Sequence, residues 1–229
     1  MISKGTERIR NCFINLKRAE KTGLITFITA GDPTLEISTN IFSQLPQAGA
    51  DIIEIGMPFS DPMADGPAIQ ASSLRALKSG TTCSKILKMV EKFREQDEIT
   101  PVILMGYFNP IYTYGVEKFV ADASSVGVDG FIIVDLPPEE TEMRIPVEDA
   151  GLSLIYLTSP TTYNKRVPDV VRNASGFIYH VSVLGITGTT APSNKNIEKD
   201  LNRIRSHTDL PIAVGFGIKT PEQAREISV

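Results

Sequence analysis

Tryptophan is absent from the chain, and cysteine and histidine occur only twice each. Cys12 and Cys83 are far apart and lack metal-ligand spacing, so neither a disulfide framework nor a zinc site is expected. They read instead as small apolar residues of a reduced compartment. His180 and His207 give little material for a two-histidine metal centre or a Ser-His-Asp triad. Nor is there a basic block, and the formal net charge is −4. Nucleic acid and anionic membrane surfaces are therefore poor partners. No apolar run approaches the roughly 20 residues of a membrane span. Met1 to Gly5 lead into no apolar signal segment. A cytoplasmic protein is the expectation.

What is present is ordinary globular composition, 41% hydrophobic and 22% charged over 229 residues, enough to bury a sizeable core. Apolar runs rich in β-branched residues recur at Leu24 to Thr29, Ile52 to Ile55, Val102 to Met105, Phe131 to Val134, Leu154 to Leu157, Phe177 to Val181 and Ile212 to Val214. Such continuous runs suit strands buried on both faces, as in a parallel sheet. Helical stripes alternate with them: Leu35, Ile41, Leu45, Ala48; Ile86, Met89, Val90, Phe93; Val116, Phe119, Val120, Ala123. Three more lie at Glu140 to Ala150, Val167 to Val171 and Ile197 to Ile204, and an extra helix, Thr6 to Ala19, precedes the first strand. Seven strand–helix units with no long linker predict one α/β domain over 1–229, a (β/α)8 barrel with its first helix across the bottom. The sequence stops within its seventh helical pattern, Pro221 to Val229, so it reads as lacking an eighth unit at the C-terminus. An open seven-stranded sheet is the other reading, and it would leave two edges exposed.

In a barrel the chemistry lies in loops after the strands. The run Asp51-Ile52-Ile53-Glu54-Ile55 places a carboxylate inside an apolar strand, and the loop behind it carries Asp61 and Asp65. A carboxylate away from water must be paired or must shift its pKa. Glu54 is thus a candidate acid or base, with Asp65 as its partner; Asp61 reads as a turn-former. The loops after the sixth and seventh runs, Gly185-Ile186-Thr187-Gly188 and Gly215-Phe216-Gly217-Ile218, are glycine-rich and uncharged. They suit backbone binding of a phosphate.

Glu54 to Gln70 resembles the signature of the tryptophan synthase α subunit family. Phe27 to Pro33, Tyr107 to Pro110, Asp135-Leu136-Pro137 and the two glycine-rich loops match further family segments in order. The resemblance implies a (β/α)8 barrel that cleaves indole-3-glycerol phosphate to indole and glyceraldehyde 3-phosphate. It also implies an α2β2 complex in which indole passes to a β subunit carrying pyridoxal phosphate, with no cofactor in the α chain. Carried across, Glu54 takes the acid–base position, Asp65 the position facing the indole N–H, and Tyr179 the position beside the glutamate. Phe27, Tyr107, Leu157 and Phe216 fall at indole-pocket positions, and Gly188 and Gly217 at backbone phosphate donors. The family's last phosphate element, a Gly-Ser, has no counterpart in this sequence. Two other readings stand beside this one: a sugar-phosphate isomerase or epimerase barrel, and a non-catalytic chain that activates a β partner.

Overall fold

The structure is a computed structural model and describes residues 5–182, 194–215, 218 and 220–228. Its strands are β1 (Ile25–Thr29), β2 (Ile52–Gly56), β3 (Val102–Gly106), β4 (Gly130–Ile133), β5 (Ser153–Leu154), β6 (Leu157–Thr158), β7 (Ile178–Val181) and β8 (Ile212–Gly215). All pair in parallel, in the orders β1-β2-β3-β4-β5 and β6-β7-β8. The sequence reads Leu154 to Leu157 as one strand, whereas the structure divides it. Its first half pairs with β4, ending at the Ile155 N–H bond to the Phe131 carbonyl, 2.9 Å. Its second half turns to β7, starting where the Tyr156 carbonyl accepts from Tyr179 N at 3.0 Å. The strand is one element with two successive neighbours.

Strand alternation sends side chains to opposite faces. Outward residues such as Ile53, Ile55, Val102, Leu104, Phe131 and Leu154 pack with Phe42, Val90, Phe93 and Phe119 of the surrounding helices. Inward residues Ile52, Ile103, Met105, Ile132 and Phe177 form a separate cluster with Phe27, Leu157 and Tyr179. The covering helices are α2 (Leu35–Gln44), α4 (Cys83–Arg94), α6 (Val116–Ser125), α7 (Thr141–Asp149), α8 (Val167–Arg172), α9 (Asn194–Arg205) and α10 (Pro221–Ile227). Thr34, Thr82 and Thr220 cap three of them through side-chain oxygens, Thr220 in a capping box with Gln223. Two helices went unread in the sequence, α3 (Pro67–Lys78) and α5 (Phe108–Tyr114). Helix α3 buries Ser72, Ser73 and Ala76, so it shows no apolar stripe, and α5 has only seven residues. No helix among the described residues is long and apolar enough to cross a membrane.

Helix α1 (Thr6–Arg18) closes the bottom, as its sequence stripe implies. Ile9 is fully buried among Ile52, Ile103 and Phe177. Gly5 starts it at φ 57°, where a Cβ would stand 2.1 Å from the Gly151 carbonyl oxygen; only glycine fits there. A buried ion cluster fixes the same end. Asp129, fully buried, receives Arg8 on one carboxylate oxygen, and Arg94 Nη2 (2.7 Å) and Val102 N (2.8 Å) on the other. Burial pushes Asp129 up to about 6 against the pull of both arginines, which leaves it ionised at neutral pH. Arg8 Nε also donates to the Glu98 carbonyl, 2.8 Å, and Arg94 Nε to that of Gly127, 2.9 Å. The cluster ties α1, α4 and the starts of β3 and β4 together.

Candidate active site

Glu54 is the central residue of β2, in register with Phe27 of β1 and Ile103 of β3. That alternation position faces the barrel interior. The side chain is 3% exposed, and its Oε1 has no hydrogen-bond partner among the described residues. With little water to solvate its anion, burial pushes Glu54 up to about 8. At neutral pH it therefore carries a proton, and it can release that proton without leaving the physiological range.

Across the interior, β7 holds Tyr179 in register with Leu157 of β6 and Ala213 of β8. Its phenol is raised well above the ordinary range, first by burial and then by the Glu54 charge. The tyrosine and the glutamate therefore feel one another across the barrel. Small residues at the strand ends make room for these rings. A Cβ on Gly215 would meet the Tyr179 hydroxyl at 2.0 Å, and one on Gly56 would meet the Phe27 ring at 2.5 Å. His180, next to Tyr179, points outward as the alternation requires. It is buried against Thr158, whose Oγ1 lies 3.1 Å from Nδ1.

Asp65 enters from the loop between β2 and α3. Tyr107, at the end of β3, holds that loop: its hydroxyl accepts from Ala64 N at 2.9 Å and hydrogen-bonds the Asp65 carboxylate. The Phe59 ring lies 5.3 Å from that of Tyr107, and Gln70 Nε2 donates to the Asp65 carbonyl at 2.8 Å. Partial burial raises Asp65, while the tyrosine bond lowers it. Glu54 Oε1 has no such bond among the described residues, and burial alone raises that carboxyl to about 8.

Sequence reasoning placed Tyr107 in the substrate pocket but missed its grip on the loop; no pattern in the sequence signals a phenol–amide contact across 43 positions. It also missed the buried Thr29–Ser72 hydroxyl pair, 2.7 Å, which joins the end of β1 to α3. Asp61 sits in its own turn, its carbonyl accepting from Met63 N at 2.9 Å. Asp135 accepts from Phe108 N at 2.8 Å and so serves the first turn of α5. The structure thus brings Glu54, Tyr179, Phe27 and Leu157 into one interior and sets Asp65 and Tyr107 at its rim. The predicted residues Gly188, Phe216 and Gly217 lie outside the described residues.

The arrangement can donate a proton from Glu54, recover it, and present a second carboxylate to a developing positive charge, all within apolar walls. The fold and the sequence have relatives. The structure of tryptophan synthase subunit alpha from Legionella pneumophila str. Paris is 43% identical, with a TM-score of 0.89 over 96% of this chain and 82% of that one. Tryptophan synthase of Mycobacterium tuberculosis in space group F222 is 30% identical, with a TM-score of 0.89 over 96% and 84%. The α2β2 complex of Pyrococcus furiosus, described for the mutual activation of its subunits, matches at 35% identity and a TM-score of 0.81 over 90% and 82%. A family model described as tryptophan synthase alpha chain matches residues 13–229. The barrel with its acidic second strand, these relatives and that family match agree, and the chain belongs to the tryptophan synthase alpha chain family.

Proposed function

We propose that Glu54 is the acid–base group with which this single-domain chain, a carbon–carbon lyase of tryptophan biosynthesis, cleaves indole-3-glycerol phosphate. The observation that carries the assignment is the buried Glu54 carboxyl with an unpartnered oxygen and a pKa near neutrality. The bond to be broken joins C3 of indole to the glycerol side chain. Protonated Glu54 gives its proton to C3, and the ring becomes an indoleninium cation. The resulting carboxylate takes the proton from the adjacent hydroxyl. The carbon–carbon bond then breaks, its electron pair returns to the ring, and indole and glyceraldehyde 3-phosphate leave. Glu54 ends protonated, as it began. Asp65 faces the ring N–H and, as a carboxylate, offsets the transient positive charge. Tyr179 keeps water from Glu54, and Phe27, Tyr107 and Leu157 form walls for a flat aromatic ring. For Gly188, Phe216 and Gly217, support rests on the sequence resemblance alone.

The chain's own residues carry these proton transfers. Pyridoxal phosphate belongs to the β subunit, the partner to which indole passes in the α2β2 complex, and the setting is the cytoplasm. A purely activating, non-catalytic role fits the interior less well. A chain free of chemistry would gain stability from an apolar residue at position 54, because an ionisable group buried there works against folding above its ordinary pKa. The test is direct. The chain is incubated with indole-3-glycerol phosphate, with and without β subunit, and indole release is followed. Release that is lost in Glu54→Gln, with the variant still folded, supports the reading. Release at near wild-type rate in that variant overturns it.

A further inference from the structure

On the outer wall of the barrel, away from Glu54, a cavity of about 570 Å3 opens between the loop after β6 and helix α9. It is lined by Asn164, Lys165, Lys199, Arg203, Ser206 and His207. Every titratable group in that lining is a base, in a chain whose formal net charge is −4. The concentration of positive charge is local, and its balance can be followed residue by residue. Arg203 is spoken for: Nη2 lies 2.8 Å from Asp200, and Nη1 donates to the Thr162 carbonyl. Those two bonds pin the rim loop to α9 and shape the cavity before any ligand arrives. Asp200 is committed in turn to Arg203. Lys165 and Lys199 form no ion pair among the described residues. Two lysines, carried by different elements and free of ion pairs among the described residues, therefore line one concavity together with His207, Ser206 and Asn164.

We propose that this cavity is a second ligand site, which binds the phosphate group of a small phosphomonoester. Two point charges on flexible stems suit the spread charge of a phosphate dianion better than the flat fork geometry of a single carboxylate. The volume falls within the range of small-molecule pockets, about 300–1,000 Å3, and leaves room for a short organic chain beyond the phosphate. Nucleic acid is disfavoured, because the basic lining is confined to one cavity on an acidic chain. This proposal draws on residues other than Gly188 and Gly217, the backbone phosphate donors that the sequence resemblance implies.

The experiment is a titration of the whole chain with glycerol 3-phosphate, read through the backbone amide resonances of Lys165, Lys199 and Ser206. Glycerol serves as the uncharged control and citrate as the carboxylate control. Both lysines are exposed and lie outside the reacting site, so Lys165→Ala/Lys199→Ala is expected to fold and to release indole like the wild type. Saturable shifts at those amides are expected, with a Kd about tenfold weaker in the double variant and weakening further as salt rises. An unchanged Kd in the double variant, or absence of saturation, overturns the site. Citrate binding as tightly as glycerol 3-phosphate overturns the phosphate assignment.

Discussion

Replacing Glu54 by glutamine should make the chain more stable and chemically inert, and the two effects should differ in their dependence on pH. The native carboxyl titrates at about 8, whereas an ordinary glutamate titrates at 4.5. Between those values the native chain holds a proton that the unfolded chain has released. The stability this group confers is therefore fully present below 4.5 and is lost as pH rises through about 8. One pKa unit corresponds to about 1.4 kcal/mol. The loss is then about 1 kcal/mol at pH 5, roughly 3 kcal/mol at pH 7 and roughly 5 kcal/mol above pH 8. Glutamine keeps the shape and has no proton to lose, so its stability should not fall across this window. Denaturant unfolding of both proteins at several pH values checks this directly. The wild type and variant should be nearly equal at low pH, and the gap should widen in favour of the variant as pH rises. Indole release, meanwhile, should fall by about 10²–10⁴-fold in the variant. In the wild type, kcat/KM should decline above about pH 8, where the starting proton is gone. Parallel stability curves for the two proteins would refute the buried, protonated glutamate and the mechanism that starts from it.

Tyr107→Phe removes the hydroxyl that accepts from Ala64 N and bonds Asp65. It should lower kcat/KM about tenfold, since a misplaced charge partner weakens transition-state stabilisation, with thermal unfolding little changed. Gly215→Ala places a methyl 2.0 Å from the Tyr179 hydroxyl and 2.4 Å from ring carbon Cζ. Activity should collapse, and Tyr179→Phe should not restore it because the ring carbon remains in the way; recovery in the double variant would contradict this packing. Asp129→Asn leaves Arg8 and Arg94 without their buried counter-charge. It should destabilise the fold by about 3–5 kcal/mol in denaturant unfolding, while the specific activity of the folded fraction stays near wild type.

Glu54 lies inside an apolar run and Asp129 just ahead of one, and the sequence points to chemistry only at Glu54. The structure separates them by strand polarity. Asp129 precedes β4 and meets two arginines at the barrel's floor, whereas Glu54 lies within β2 and faces the interior, its Oε1 without a hydrogen-bond partner among the described residues. The strands were legible because buried parallel strands read as continuous apolar runs, while the place of Tyr179 beside Glu54 came from the family resemblance. Helix α3 was not legible, because a helix that buries serine and alanine leaves no hydrophobic period. Nor were the Tyr107–Ala64, Arg8–Asp129 and Asp32–Arg75 contacts, each of which joins residues remote in sequence. Such pairs are decided by tertiary packing, and a single sequence carries no local signal for them.

The change of neighbour at Ile155 and Tyr156 has a consequence for how the catalytic set comes together. Glu54 and the loop with Asp65 belong to the five-stranded sheet, while Leu157 and Tyr179 belong to the three-stranded one. Neither sheet holds the whole set. Among the described residues, the backbone seam between them is one short stretch of chain that bonds backward to β4 and forward to β7. Residues of both sheets, Ile52 and Ile103 of one and Leu157 and Tyr179 of the other, together build the interior that shields Glu54. The raised pKa of that one carboxyl is thus a property of the assembled halves, and its titration reports whether they have met.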